Sequence, residues 1–167
     1  MNRKIMLILA GISLLAATSC SLPRPKRSIS PSQTFDGFTL VRLHPQDGDL
    51  QTMLATEAQK AIALGYMPVV YFDATWCPPC WAIADALDEK NQLMLDAYEG
   101  TYIIKLDVDE WGWKDDKVEN FNFDGIPAYF KLDADGNQTG DVITGFAWGE
   151  DIPENIAPVM DDFFHRQ

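Results

Sequence analysis

Cysteine is scarce in this chain of 167 residues. There are three, Cys20, Cys77 and Cys80, and the only histidines are His44 and His165. That scarcity argues against a zinc site, because tetrahedral zinc takes four ligands and neither histidine lies at ligand spacing from Cys77 and Cys80. Basic residues are also few, 13 against 25 acidic ones. All 25 acidic residues fall in Phe35–Gln167 with only eight basic ones, a formal charge of −17 over that segment. Nucleic-acid binders neutralise phosphates with clustered Lys and Arg, so nucleic acid is excluded as a partner. Long apolar runs are missing as well. The most extended, Ile5 to Ala17, falls short of the roughly 20 residues that a membrane-spanning helix needs. No internal repeat is present.

What the chain does have is Trp76-Cys77-Pro78-Pro79-Cys80. It lies where an apolar run, Met67 to Phe72, gives way to a helical pattern. The spacing places Cys77 at a helix N-terminus, where unpaired N–H groups and the helix dipole favour a thiolate. Pro78 suits the first turn, since its missing N–H has no intrahelical partner there. A structural disulfide closing so short a loop contributes little stability. Thiol–disulfide exchange fits better, with Cys77 attacking and Cys80 resolving.

Three segments are expected. In residues 1–19, Arg3 and Lys4 precede the apolar run and small residues follow it, as in a secretory signal. Leu15-Ala16-Ala17-Thr18-Ser19-Cys20 resembles a bacterial lipoprotein signal, although Ala17 stands where Leu is usual. The resemblance implies cleavage before Cys20, which becomes a lipid-bearing first residue. Residues 20–34, with Pro23, Pro25, Pro31, four serines, Arg24, Lys26 and Arg27, read as a flexible linker. Its positive charges suit anionic headgroups, and an inert tether fits equally well. Residues 35–167 are one domain's worth of chain.

Periodicity predicts a strand over Phe35–Leu43 and a helix over Asp49–Leu64 ended by Gly65. A strand at Met67–Phe72 follows, then a long helix from Pro78 to about Tyr98, stopped by Gly100. A strand over Tyr102–Val108 and a short helix over Lys114–Phe121 come next. Strands at Ala128–Leu132 and Val142–Phe146 flank Asp133–Asn137, which reads as a hairpin turn, not a calcium loop, because no Glu follows at the required spacing. The last helix covers Ile152–Phe164, with Asp151 as N-cap. This order implies an α/β fold, a mixed central sheet with helices on both faces.

Over Phe35 to Phe164 these residues resemble the thioredoxin family. Trp76–Cys80 matches its active-site motif, and Gly125-Ile126-Pro127 its cis-proline loop. Lys105–Asp109 matches the end of the third strand, and Gly145 a glycine of the last. The resemblance implies the thioredoxin fold, Cys77 as exposed nucleophile and Cys80 as resolving thiol. Pro127, if cis, would orient an extended substrate segment beside Cys77. The backbone of Ile126 would pair with that segment, and Trp76 would offer an apolar docking face.

Departures from the pattern carry their own expectations. The family often has a buried Asp six residues before the first Cys, and here that position is Tyr71. A phenol with a reference pKa near ~10 is a poor base at neutral pH, so Lys105 is left without its usual partner. Asp73 is either a substitute proton relay or a solvated strand-end residue. Asp85 replaces a helix-kinking Pro, which implies a straighter helix. Trp81 replaces a basic residue, removing one source of thiolate stabilisation. Trp111 and Trp113 either border the substrate or pack against the short helix.

The function expected from the sequence is a monomeric, extracytoplasmic thiol–disulfide oxidoreductase, acting as a reductase of protein disulfides. Its partners would be protein disulfides or thiols, an unidentified membrane electron donor or acceptor, and the membrane itself through lipid on Cys20. It would be lipid-anchored in a bacterial cell envelope, facing the periplasm or the surface, with no metal or organic cofactor. The alternative is an envelope binding or assembly lipoprotein that keeps the fold with little redox turnover.

Overall fold

Met67–Asp73 forms the strand on which the architecture is built. Its run of apolar side chains alternates between two buried layers, as a strand covered on both faces requires. A computed structural model describes residues 32–112, 118 and 120–166. The signal segment, Cys20 and most of the linker lie outside the described residues, as do Trp113 and most of the short helix expected over Lys114–Phe121.

The elements in chain order are β1 (Ser32–Thr34), β2 (Thr39–Arg42), α1 (Leu50–Ala63), β3 (Met67–Asp73), α2 (Pro78–Asp88) and α3 (Gln92–Tyr98). They are followed by β4 (Thr101–Asp107), α4 (Val108–Trp111), β5 (Ala128–Leu132), β6 (Gln138–Thr144) and α5 (Pro153–His165). The sheet order is β1-β2-β4-β3-β5-β6. β2, β4 and β3 run parallel, while β1, β5 and β6 pair antiparallel with their neighbours. The mixed sheet expected from the sequence is therefore present, with one strand more than periodicity gave.

That extra strand lies outside the first expected one, of which only Thr39–Arg42 is regular strand. Gly37, at φ 91°, turns the chain, and Ser32–Thr34, which the sequence reading gave to the linker, pairs back onto Thr39–Val41. The long helix expected from Pro78 to Tyr98 is divided. Lys90 takes a left-handed φ of 56°, and the Asn91 side chain accepts from Met94 N–H to start α3. The interruption falls at 89–91, away from Asp85. Asp151 does not cap α5. Its carboxylate accepts from Trp148 Nε1 instead, and Ile152 takes the N-cap position with no side-chain bond.

Each face of the sheet has its own apolar layer. On one, Val70, Phe72, Ile104, Leu106 and Phe130 meet Leu50 and Leu54 of α1, together with Cys77 and Cys80. On the other, Val69, Tyr71, Ile103 and Tyr129 meet Ile83 of α2, Met94 and Tyr98 of α3, and Ile156, Met160 and Phe164 of α5. Burying each large side chain contributes roughly 1.5–3 kcal/mol. Ile62 of α1 lies off the buried face and is 49% exposed.

Asp133–Asn137 is the hairpin turn the sequence predicts. Asp133 Oδ1 accepts from the backbone N–H of both Asp135 and Asn137, at 2.9 Å each. Gly136 packs this turn on α1. A Cβ there would fall on the backbone N of Ala55 and 2.7 Å from the carbonyl carbon of Leu54, at a φ of +76°. Gly65 has a similar φ, +79°, but open space around it. Gly65→Ala should therefore cost about 1–2 kcal/mol, the left-handed penalty alone. Gly136→Ala should cost more, about 3 kcal/mol, because backbone must move as well. Urea denaturation of the two variants checks the ordering.

Candidate active site

The site begins where β3 ends. Cys77 is the N-cap of α2, with extended backbone (φ −87°, ψ 105°), and its N–H donates to Ala74 O at 3.2 Å. Pro78 and Pro79 follow in the first turn. Cys77 and Cys80 form a disulfide with a Cα–Cα distance of 5.3 Å. The nucleophile was expected to be exposed, yet Cys77 is only 1% exposed and Cys80 2%. The reason is local: Cys77 Sγ folds over the first turn, bonded to Cys80 Sγ and accepting from Cys80 N–H at 3.3 Å.

Pro127 has the cis peptide bond that the resemblance implied. Phe72 and Ala128 are register partners in an antiparallel pair, so Pro127 sits at the sheet end where β3 leads to Cys77. Ile126 packs against the layer that contains both cysteines. Gly145 lies just after β6, and its N–H donates to Pro127 O at 2.9 Å. A Cβ on Gly145 would stand 2.9 Å from Pro127 Cδ, which explains glycine there.

Trp76 is 52% exposed, so it presents a face to solvent and is not a core aromatic. Its indole N–H donates to Asp109 Oδ2 at 2.8 Å. Asp109 is itself positioned by a cap: Asp107 Oδ1 accepts from Asp109 N–H at 2.9 Å at the start of α4. Trp111 packs as a buried residue, donating to Leu43 O at 3.2 Å. Of the two readings for Trp111, packing holds.

At the end of β3, four residues before Cys77, lies a group of buried charges. Lys105 Nζ meets Asp73 Oδ2 at 2.5 Å, both side chains being under 10% exposed. The sequence reading left Lys105 without a partner, and the structure supplies Asp73. Asp73 is 6% exposed, which removes the solvated strand-end reading. Alternation explains the substitution. Positions 71 and 73 share a face of β3, so a carboxylate moved by two residues still points to the Lys105 side of the sheet. Burial raises the Asp73 pKa, and the Lys105 and Arg42 charges oppose the shift without cancelling it. Asp73 Oδ1 is buried with no hydrogen-bond partner among the described residues.

A second pair lies beside the first. Arg42 bonds Asp107 Oδ2 at 3.1 Å and Glu110 Oε1 at 3.0 Å, and His44 Nδ1 meets Glu110 Oε2 at 2.7 Å. Partial burial of Glu110 works against its ionisation, but the His44 hydrogen bond and the Arg42 charge hold its pKa below the usual range. Sequence reasoning missed Arg42 and Asp107 as part of this group. The available signal was a charged residue ending each of two otherwise apolar strands. Tyr71 is stacked on Tyr129, ring centroids 4.4 Å apart, and burial pushes its phenol well above 10. It cannot act as the base that the family keeps at this position.

Phe146 also escaped notice as part of the site. It is 77% exposed and covers Gly125, where a Cβ would lie 2.7 Å from its ring. A separate groove lined by Pro45, Leu50, Trp111 and Phe121 contains neither cysteine.

Comparison with known proteins agrees with this geometry. A thioredoxin family model matches residues 51–157. The chain is 32% identical over 89 residues to the chloroplastic thioredoxin-like protein HCF164 of Oryza sativa subsp. japonica, covering 53% of this chain and 32% of that protein. It is 40% identical over 62 residues to thioredoxin-1 of Saccharomyces cerevisiae, covering 37% of this chain and 56% of that one. The chain thus spans about a third to a little over half the length of these two relatives. Among solved structures, reduced Schistosoma mansoni thioredoxin pre-protein shares 23% identity and a TM-score of 0.46, covering 74% of this chain and 97% of that one. With the family model spanning more than half of its residues, a cysteine pair at a helix start and a cis-proline beside it, this chain belongs to the thioredoxin family.

Proposed function

We propose that this protein is a thiol–disulfide oxidoreductase that reduces protein disulfides outside the cytoplasm. The observation that carries the reading is the Cys77–Cys80 disulfide capping α2, with cis-Pro127 at the same sheet end. In the reduced protein, Cys77 thiolate attacks one sulfur of a substrate disulfide and the other sulfur leaves as a thiolate. Cys80 thiolate then attacks Cys77 Sγ, closing the ring and expelling the second substrate thiolate. Two electrons pass to the substrate, and its two thiolates take up two protons.

The second step requires Cys80 to lose its proton in a buried site. Asp73 is the group suited to take it. It is a carboxylate whose pKa burial has raised above its ordinary value, with one oxygen unpartnered among the described residues. Lys105 holds the other oxygen and fixes the carboxylate in place. This supplies what Tyr71 does not, so the main argument for a redox-silent binding protein loses its ground. Exposed Trp76 and the backbone at Ile126 would receive the substrate segment, the latter as a short added strand.

Placement in the envelope rests on the sequence. Cys20 would carry lipid, and the basic linker would hold the acidic domain near the membrane. No helix among the described residues is long and apolar enough to cross a membrane. Electrons would come from an unidentified membrane donor.

Three experiments test this. Insulin reduction should be abolished in Cys77→Ser. Asp73→Asn should slow closure of the ring on the order of 10²-fold. The raised Asp73 pKa means that the wild-type closure rate falls as pH drops through that pKa, towards but above the ordinary carboxylate value. Asp73→Asn should lose this limb. Persistent reduction by Cys77→Ser would contradict the reading. Mass spectrometry of the mature N-terminus should find Cys20 first and lipid-modified, and an unmodified start elsewhere would contradict the anchor.

A further inference from the structure

Two cations and two carboxylates share one face of the sheet where its parallel strands end. Register pairs Arg42 of β2 with Lys105 of β4, and Lys105 with Tyr71 of β3. Two residues further on, Asp107 of β4 pairs with Asp73 of β3. Register partners on neighbouring strands, and residues two apart on one strand, point the same way. The cations therefore lie in one row across the sheet and the carboxylates in the next.

Each cation leans diagonally to the carboxylate of the neighbouring strand. Arg42 Nη2 donates to Asp107 Oδ2 at 3.1 Å, and Lys105 pairs with Asp73 Oδ2. A second carboxylate, Asp107, stands two residues beyond Lys105 on the same strand. Asp107 is buried, and its other oxygen is committed to the N–H groups of Asp109 and Glu110 at the start of α4. A buried carboxylate without a cation is costly, and Arg42 supplies that cation. Glu110 holds the same guanidinium nitrogen from the outer side at 3.0 Å, and His44 holds Glu110.

We infer that Arg42 is a positioning residue for Asp73: by occupying Asp107, it reserves Lys105 for the Asp73 carboxylate. Without Arg42, two adjacent buried carboxylates would compete for one ammonium. Asp73 would lose more by sharing it, because its Oδ1 has no hydrogen-bond partner among the described residues, whereas Asp107 keeps the two N–H groups of α4. The groups that face Asp73 are Tyr71 on its own strand, Lys105 and Asp107 on β4, Arg42 on β2 and Tyr129 of β5 stacked on Tyr71. Of these, Arg42 and Asp107 decide where Lys105 goes. The inference rests on the reading of Asp73 as proton acceptor for Cys80 and adds what holds that acceptor ready.

The Asp73 titration is read by carboxyl-carbon NMR in the oxidised protein, with no substrate present. Arg42→Gln keeps an amide donor for Asp107 but no charge. It should raise the Asp73 midpoint by about one pH unit, the scale of a neighbouring opposite charge. Asp107→Asn removes the competitor and should lower the midpoint. In the Asp107→Asn background, Arg42→Gln should move it at most about half as far, whereas a charge acting only through space would add its full effect. Arg42→Lys restores a cation and should return the midpoint towards wild type. In the wild type, which needs no variant to fold, the Lys105 Nζ resonance should follow the titration of Asp73 and not that of Asp107. The acid limb of ring closure should move with the Asp73 midpoint. A midpoint that moves while the limb stays counts against Asp73 as acceptor and still supports the hold on Lys105. A midpoint unmoved in Arg42→Gln, or moved equally with and without Asp107, would overturn the inference. So would a wild-type Lys105 resonance that follows Asp107.

Discussion

Burial of β3 on both faces is the constraint from which the site follows. A strand in this position must be apolar over most of its length, and its end is fixed by neighbours on either side. β4 pairs with it in parallel through Asp73, and β5 pairs with it antiparallel through Phe72. The first pairing brings Lys105 and Asp107 to the strand end. The second brings the cis-proline loop there. The turn to Cys77 leaves from the same place. The disulfide, the cis-proline loop and the buried charges are thus consequences of where one strand stops.

The charges at the strand ends are paired locally. Two cations, Arg42 and Lys105, face two strand-end carboxylates, Asp107 and Asp73, with Glu110 closing the outer side. Removing one partner from such a pair typically costs about 3–5 kcal/mol, because a buried charge is left behind. This explains how the domain tolerates charge inside an apolar sheet.

Much of this was legible in the sequence because it is local. The Met67–Phe72 run, the cysteine pair at a helix start and the Asp133–Asn137 turn each carry their signal within a few residues. The misses are of another kind. The late start of β2 and the division of the long helix depended on left-handed residues, Gly37 and Lys90, inside segments whose periodicity runs on past them. The Asp73–Lys105 and Arg42–Asp107 pairs required strand register, which brings together residues more than 30 positions apart. The family resemblance implied an exposed Cys77, yet a disulfide at an N-cap folds its sulfur onto the turn. Phe146 was read only as the end of the last strand, since its place against a glycine in a distant loop leaves no local signal.

The proposed function rests on the buried Cys77–Cys80 pair, and its central claim is that electrons flow outward from this pair. The reduction potential of the wild-type Cys77–Cys80 couple tests that claim most directly. The account predicts a value at or below about −270 mV, on the thioredoxin side of the scale. A value near ~−120 mV, that of a disulfide-donating oxidant, would contradict it.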